Sequence, residues 1–258
     1  MDFTNIFEKY EALVAEVDKA FKTVSEQTDD GIKCGKGCSD CCHALFDLTL
    51  VEAIYLNRKF NENFRGMKRS TVMQRSDVAD RSIHKIKRRA FKASQAGTSA
   101  HEIIKEISLA RVRCPLLGDD DLCELYDFRP LTCRIYGVPM NIGGEAHSCT
   151  KSGFSSGKSY PTINMDNLQT KLVALSTELT ESINSKLKAL PEMIVPVSMA
   201  LVTDYTPEYL GENTGNAKEE VEAPVAAPSE ACSTCSEDKS ACANCNYTVS
   251  LGAAPDAE

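Results

Sequence analysis

The sequence lacks tryptophan altogether, and it has little of what would place a chain in a membrane or a secretory pathway. Residues 1–5 show no basic segment leading into an apolar run, so no signal peptide is expected. No apolar stretch approaches the length needed to cross a bilayer. We therefore expect a cytoplasmic protein without a membrane partner. Cytoplasmic thiols are kept reduced, which argues against a disulfide framework.

Basic residues are outnumbered by acidic ones overall, but they are dense in one segment. The net charge of -8 argues against a dedicated nucleic-acid binder. Residues 58–92 nevertheless hold twelve lysines and arginines against three acidic residues, a local charge of +9. We expect this segment to contact an acidic protein partner. The alternative is a solvated charged face.

Cysteine, in contrast, is abundant, with twelve residues. The densest group is Cys34-Gly-Lys-Gly-Cys38-Ser-Asp-Cys41-Cys42. Its glycines allow a short loop to turn several sulfurs toward one point, as thiolate ligands of a metal require. The adjacent Cys41 and Cys42 leave three interpretations open: a multinuclear cluster, two neighbouring sites, or one ligand with a spare thiol.

A second group follows in a region rich in glycine and proline, and it comprises Cys114, Cys123, Cys133 and Cys149. Two groups of four separated by helices predict a metal site that is closed by tertiary folding. Buried free cysteines that act as small hydrophobic residues are the alternative. None of the eight lies in a predicted apolar helical pattern, which favours metal binding.

Two arginines, Arg129 and Arg134, flank Cys133. Cations stabilise thiolates, and guanidinium groups can donate hydrogen bonds to cluster sulfurs, so both are predicted to bind the cofactor. Glu124 or Asp127 could instead pair with these arginines. Two histidines near cysteines, at positions 43 and 147, are more typical of surface residues than of ligands.

The segments Cys34-x3-Cys38-x2-Cys41-Cys42, Cys114-Pro-Leu and Cys123-Glu-Leu-Tyr-Asp-Phe-Arg-Pro-Leu-Thr-Cys133-Arg together resemble the YkgJ-type cysteine-cluster family. The similarity covers roughly residues 30–150. It implies chelation of zinc or iron without specifying a substrate or reaction. Flagellin lysine N-methylases carry a similar signature, which leaves an S-adenosylmethionine-dependent protein methylase relative as a weaker alternative. This chain is shorter than expected for those enzymes.

The spacing Cys34-x3-Cys38-x2-Cys41 also fits the radical S-adenosylmethionine motif, and Gly143-Gly144-Glu145 fits an element of that superfamily. Those enzymes need a partial barrel of alternating strands and helices, whereas helices are predicted on both sides of this motif. Short matches of this kind arise readily by chance. The sequence therefore disfavours a radical enzyme.

A third group, Cys232-x2-Cys235-x6-Cys242-x2-Cys245, lies near the C-terminus. Its two short knuckles are typical of zinc or iron ligands, so all four cysteines are predicted to bind metal. Free thiols or a reversible dithiol pair are the alternative. Residues 211–231, rich in Ala, Pro, Glu and Gly, are predicted to be a disordered linker before the tail at 232–258.

Residues 1–210 are predicted to form a mainly α-helical domain around an irregular, loop-built cysteine core, with at most a small β-hairpin. Helical periodicity covers residues 2–29, 64–95 and 165–190, and Thr49/Glu52 and Ser99/Glu102 each form a capping box. We expect an iron–sulfur cluster or iron with a redox or accessory role. A zinc-stabilised interaction module is the alternative. No catalytic acid/base pair or nucleophile is recognisable, so catalysis and catalytic residues stay unassigned.

Overall fold

The computed structural model describes residues 1–28, 32–149, 151–154 and 158–213, which belong to one compact unit. The predicted mainly-α fold is confirmed. Seven α-helices lie in these ranges: α1 Thr4–Glu26, α2 Leu50–Asn63, α3 Gly66–Gln95, α4 Ala100–Leu109, α5 Leu131–Ile135, α6 Met165–Ser182 and α7 Val197–Val202. Short 3₁₀ turns occur at Cys41–His43, Tyr126–Phe128 and Leu190–Glu192. The predicted linker at 211–231 and the cysteine tail lie, apart from residues 211–213, outside the described residues.

The described residues form two small sheets. Strand β1 (Asp47–Thr49) pairs antiparallel with β5 (Ile194–Pro196). The second sheet has the order β3-β2-β4, formed by β2 (Met140–Ile142), β3 (Glu145–His147) and β4 (Ile163–Asn164). β2 and β3 form the one hairpin of regular strands, and β1–β5 pairing adds a long-range contact that the sequence pattern did not predict.

Helix α2 is central to the fold, because it contributes to the two larger hydrophobic clusters. Its first seven residues, Leu50 to Leu56, are all buried. Leu50, Val51, Ile54 and Tyr55 pack with α1, α5 and α6, and Leu56 and Phe60 pack with α3 and α7. Burying an aliphatic or aromatic side chain of this size stabilises a fold by about 1.5–3 kcal/mol. Both predicted capping boxes are present, at Thr49/Glu52 and at Ser99/Glu102.

The last long helix is shorter than the sequence pattern suggests. The predicted helix over 165–190 ends at Ser182. Asn184 then adopts a left-handed conformation with a φ of 50°, and the Ser185 amide donates to the Thr180 carbonyl at 2.9 Å. This turn redirects the chain so that residues 194–202 return to the core. Among the helices of the described ranges, none combines the length and apolar character needed to cross a membrane.

Candidate metal centre

The first cysteine group lies on a tight loop that ends in a 3₁₀ turn. Gly37 has a φ of 95°, a conformation that glycine adopts without steric cost, and the Cys38 amide donates to the Gly35 carbonyl at 3.0 Å. The Cys42 amide donates to the Ser39 carbonyl, also at 3.0 Å. The loop thereby buries Cys41 and Cys42, whereas Cys34 and Cys38 stay half-buried.

Backbone hydrogen bonds bring the second group alongside the first. The Cys114 amide donates to the Cys42 carbonyl at 2.7 Å, and the Val112 amide donates to the His43 carbonyl at 2.9 Å. Beyond Cys114 the chain reverses, and an isolated bridge pairs Leu117 with Cys123. The chain between Cys114 and Cys123 thus reverses through a single bridge and contains no regular strand.

Cys133 reaches the same place through α5, whose N-terminus is fixed by a residue of α2. The buried Glu52 carboxylate accepts the Leu131 amide at 3.0 Å, and its other oxygen accepts the Thr49 amide at 3.3 Å and the Thr49 hydroxyl at 3.1 Å. One carboxylate thus caps two helices. Burial raises the pKa of Glu52, and these three hydrogen bonds only partly offset that effect.

Five thiols line a narrow cavity of about 50 Å³ between the 3₁₀ turn, the Cys114–Cys123 reversal and α5. We call these thiols the inner group: Cys41, Cys42, Cys114, Cys123 and Cys133. Most of the remaining wall is aliphatic, with Ile83 and Val197 among its side chains. Roughly 10–15 Å³ suffices for one water-sized sphere. The inner cavity therefore has room for more than one atom of that size.

The thiols of the inner group already interact with one another. Cys41 is hydrogen-bonded to Cys133 and to Cys42, and these contacts lower the pKa of the Cys41 thiol. The same hydrogen bonds, together with burial, raise the pKa of Cys133 and of Cys42. Burial raises the pKa of Cys114 to about 12. The charge pattern therefore favours one thiolate, Cys41, surrounded by neutral thiols.

A second, smaller cavity of about 10 Å³ adjoins Cys41 on its other side. Its thiols are Cys34, Cys38 and Cys149, which with the Asp40 carboxylate we call the outer group. The Cys149 thiol donates to Asp40 Oδ2 at 3.4 Å. Cys41 lines both cavities, so it connects the two groups.

Cations surround the outer group. The Asp40 side chain is only 6% exposed, and its Oδ1 lies 2.5 Å from the Arg111 guanidinium and 3.5 Å from Lys151 Nζ. Although burial raises the pKa of Asp40, the hydrogen bonds from Cys149 and Arg111 outweigh it, and the net pKa is lowered. Asp40 is therefore a carboxylate at neutral pH, ready to act as an oxygen donor.

Gly137 allows the chain to pass directly against Cys34. A Cβ atom at position 137 would lie 2.2 Å from Cys34 Cβ and 2.9 Å from its Sγ. Atoms this close overlap, so only glycine fits without displacing the loop. The segment after α5 is thus fitted closely around the outer group.

The spatial grouping differs from the order along the chain. Sequence spacing grouped Cys149 with Cys114, Cys123 and Cys133, whereas the structure places it beside Cys34 and Cys38. The cysteines at 41 and 42, in turn, join the three cysteines of the later segment. Within the described residues no three His, Cys, Asp or Glu side chains stand in a metal-ligating arrangement. Metal binding would therefore require the thiol side chains to rotate toward a common point.

The two arginines that flank Cys133 have different surroundings. Arg129 lines the inner cavity and stacks on the Tyr126 ring at 3.6 Å. Arg134 instead points to α1, where it pairs with Asp18 at 2.7 Å and also donates to the Arg129 and Asp127 carbonyls. The geometry thus leaves Arg129 as a donor candidate, and it places the Arg134 guanidinium away from both cavities.

Other predicted elements lie apart from the thiols. His43 Nδ1 donates to the Ser39 carbonyl at 3.0 Å and lines neither cavity, and His147 is exposed. Gly143 and Gly144, both with positive φ, form the turn between β2 and β3. That hairpin explains the Gly-Gly-Glu sequence without a radical enzyme. Cys232, Cys235, Cys242 and Cys245 lie outside the described residues.

The structure adds two polar residues to the candidate site. Asp40 had a sequence signal, since it directly precedes Cys41 within the first motif. Ser198 had none, because α7 brings it to the inner cavity from far along the chain. Its hydroxyl is buried and has no hydrogen-bond partner among the described residues. A buried hydroxyl without a partner typically costs about 1–3 kcal/mol, which indicates a group that a bound species would contact.

The donor chemistry of both groups fits a thiophilic metal. The inner group offers five sulfurs and an unpartnered hydroxyl, and the outer group offers three sulfurs and a carboxylate. Sulfur-rich donor sets favour zinc, Cu(I) and iron–sulfur centres over magnesium or calcium. The residues present therefore fit the kind of metal that the sequence predicts.

The comparison with protein families agrees with this chemistry. Residues 33–150, which include all eight cysteines of the two groups, match the family described as "CxxCxxCC: Putative zinc- or iron-chelating domain". No curated protein and no solved structure matches the chain. The match confirms the resemblance to a cysteine-cluster family and supports metal binding in general. Over residues 33–150 the chain is therefore similar to the CxxCxxCC family.

Proposed function

We propose that the chain binds iron, as an iron–sulfur cluster or as iron alone, through the inner group, and serves a redox or accessory role. The observation that carries this proposal is that five thiols line one cavity of about 50 Å³. A single tetrahedral ion needs four ligands, so a fifth sulfur and the additional room favour a centre with more than one metal atom.

The surroundings of the inner group support a redox centre. The wall is mostly aliphatic, and low solvent access is one of the factors that set the reduction potential of a cluster. Arg129 would supply the positive charge that stabilises thiolates, and its stacking on Tyr126 limits its motion. Bound there, an iron centre would accept and release single electrons, while the chain itself contributes ligands, shielding and charge.

The outer group would hold a single ion. Its cavity accommodates about one water-sized sphere, and Cys34, Cys38, Cys149 and Asp40 supply four donors. Displacement of the Cys149 thiol proton would free both that sulfur and Asp40 Oδ2, which now share a hydrogen bond. Four donors of mixed sulfur and oxygen character suit a tetrahedral zinc or iron ion.

Zinc in both groups is the alternative, and the four-donor outer group is the observation that favours it. Zinc there would stabilise the loops around Cys38 and Cys149, which contain little regular secondary structure. The domain would then be a structural or interaction module. The family description names both metals and does not choose between them.

Purification of the full chain without oxygen, followed by visible absorption and determination of iron, acid-labile sulfide and zinc, tests the proposal. A variant with serine at Cys232, Cys235, Cys242 and Cys245 serves as control, because it removes any contribution of the tail. A brown protein with iron and sulfide that persist in the control is the expected result. A colourless protein with stoichiometric zinc would establish the alternative.

A further inference from the structure

Helix α4 carries apolar side chains that the described part of the chain leaves half-buried or exposed. The capping box at Ser99 and Glu102 starts a ten-residue helix that carries Ile103, Ile104 and Ile107. None of its residues is buried, although α4 packs on the C-terminal part of α3. We call residues 84–109, which comprise this part of α3 and α4, the helical hairpin. An amphipathic helix normally buries its apolar side, so this arrangement is unusual for an isolated protein.

Large apolar side chains are exposed on both helices of the hairpin. Phe91 is 65% exposed, Ile104 66% and Leu109 72%. Single exposed apolar residues are common on protein surfaces, but three within 26 consecutive residues of one hairpin indicate a surface that meets a partner.

Positive charge without a counter-charge lies on the same hairpin. Much of the basic segment 58–92 is neutralised within the fold, as in Arg75 with Glu124 at 2.8 Å and Lys87 with Asp47 at 2.7 Å. Lys85, Arg88 and Lys92, in contrast, form no ion pair with any described residue. Their spacing of three and four residues places them on one side of α3.

Phe91 lies next to these cations, three residues after Arg88 on the helix surface. We propose that the helical hairpin docks an amphipathic helix of an acidic partner protein. Carboxylates of that helix would pair with Lys85, Arg88 and Lys92, and its apolar side would cover Phe91. Ile104 and Leu109 of α4 are further exposed apolar side chains on the same hairpin.

The exposed apolar side chains distinguish this partner from a nucleic acid, which would leave them uncovered. Anionic vesicles, included in the test below, distinguish it from a membrane. A protein helix with both carboxylates and apolar side chains would pair with the cations of the hairpin and also cover its apolar side chains.

A synthetic helical peptide with leucines spaced three and four residues apart and glutamates elsewhere is the probe. Fluorescence anisotropy of the labelled peptide would be measured with the full metal-loaded chain. The variant Lys85→Glu/Arg88→Glu/Lys92→Glu should raise Kd by at least about tenfold, and Phe91→Ser by several-fold. The matched control Lys19→Glu/Lys186→Glu/Lys188→Glu makes the same change in net charge at exposed positions elsewhere and should change Kd less than about twofold.

Peptides with lysine in place of glutamate, or alanine in place of leucine, should bind weakly. Equal loss of affinity in the two triple variants would show a mere response to net charge and overturn the proposal. So would the absence of peptide binding, or preferential binding of phosphatidylserine vesicles. Metal content, measured in each variant, separates this result from the proposed function, since the hairpin cations line neither cavity.

Discussion

The inner and outer groups use the same side chain in contrasting surroundings. The inner group has five thiols and a mostly aliphatic wall that also includes Arg113 and Arg129. The outer group has three thiols and the Asp40 carboxylate, which pairs with Arg111 and Lys151. Low polarity and burial hold most inner thiols in the neutral form, while the outer group offers a preformed anion in Asp40. The difference suggests two kinds of metal binding within one short domain.

The two groups should also differ in how readily a bound metal is released to solvent. The inner cysteines lie beneath α3 and α7 side chains such as Ile83 and Val197, and the outer ones lie near the surface with Lys151. A metal in the inner group should therefore leave slowly, and one in the outer group should be removed first by a chelator. The following predictions would break or sharpen this distinction, beginning with the largest effect.

Replacement of Cys133 by serine should abolish metal binding in the inner group. Cys133 lines that cavity and is hydrogen-bonded to Cys41. Because structural metal sites can contribute on the order of 10 kcal/mol to folding, the melting temperature should fall steeply as well. Elemental analysis and thermal unfolding of the purified variant measure both effects. Retention of the full metal content would show that Cys133 is not a ligand.

Replacement of Glu52 by alanine should destabilise the fold by about 3 kcal/mol, since it removes the shared acceptor of two helix N-termini from a buried position. The N-terminus of α5 would lose its fixed position, so the inner metal should also bind more weakly. Urea denaturation in the presence and absence of a chelator separates the two effects. The exposed variant Glu8→Ala, on α1, is a suitable control for loss of one carboxylate.

Replacement of Gly137 by alanine should cost about 1–3 kcal/mol, because the new methyl group would overlap Cys34. The effect on metal should be confined to the outer group. Gly144→Ala is not a neutral comparison, since Gly144 has a φ of 86°, but Gly35→Ala meets no atom within 4 Å. Metal analysis of the 137 and 35 variants should therefore differ, and equal losses would argue against the close fit at Gly137.

Replacement of Arg129 should change the spectrum of the metal centre, whereas replacement of Arg134 should change the stability of the fold. Arg129→Ala should alter the absorption or reduction potential of an inner iron centre, because Arg129 lines that cavity. Arg134→Ala should leave the spectrum unchanged and lower stability by about 1–3 kcal/mol through lost contacts with Asp18 and two carbonyls. A spectral change in the Arg134 variant as large as that in the Arg129 variant would contradict the assignment.

The smallest effect concerns pH. Burial raises the pKa of Glu52 above its ordinary value of 4.5, so its contribution to stability is greatest below that pH and declines as pH rises through the folded-state pKa. Glu52→Gln stays neutral and keeps an acceptor for Leu131. The free energy of unfolding of this variant, relative to the original chain, should therefore increase as pH rises above about 4.5 and then level off. A decrease in this relative free energy of unfolding over the same range would contradict a raised pKa for Glu52.

Local features of the fold could be predicted from the sequence because their causes are local. The two capping boxes and the helices of 66–95 and 100–109 follow from residues a few positions apart. The end of α6 could not be predicted, since Leu187 and Leu190 continue the apolar spacing although Asn184 has already turned the chain.

The candidate site was predictable in composition and not in arrangement. The spacing around Cys34 indicated a metal loop, but the division between inner and outer groups depends on the pairing of Cys42 with Cys114, which are distant in sequence. Ser198 joins the inner cavity only because β5 pairs with β1 and starts α7 beside it. Long-range pairing of this kind leaves no periodic signal in one sequence.

Metal counting on two double variants tests the account most directly. Cys123→Ser/Cys133→Ser removes two inner thiols, and Cys38→Ser/Cys149→Ser removes two outer thiols, which come from distant parts of the chain. With the tail cysteines replaced by serine in both, the outer variant should keep the inner metal and its absorption, and the inner variant should lose both. Loss of the inner absorption in the outer variant as well would show a single eight-thiol centre and contradict the division.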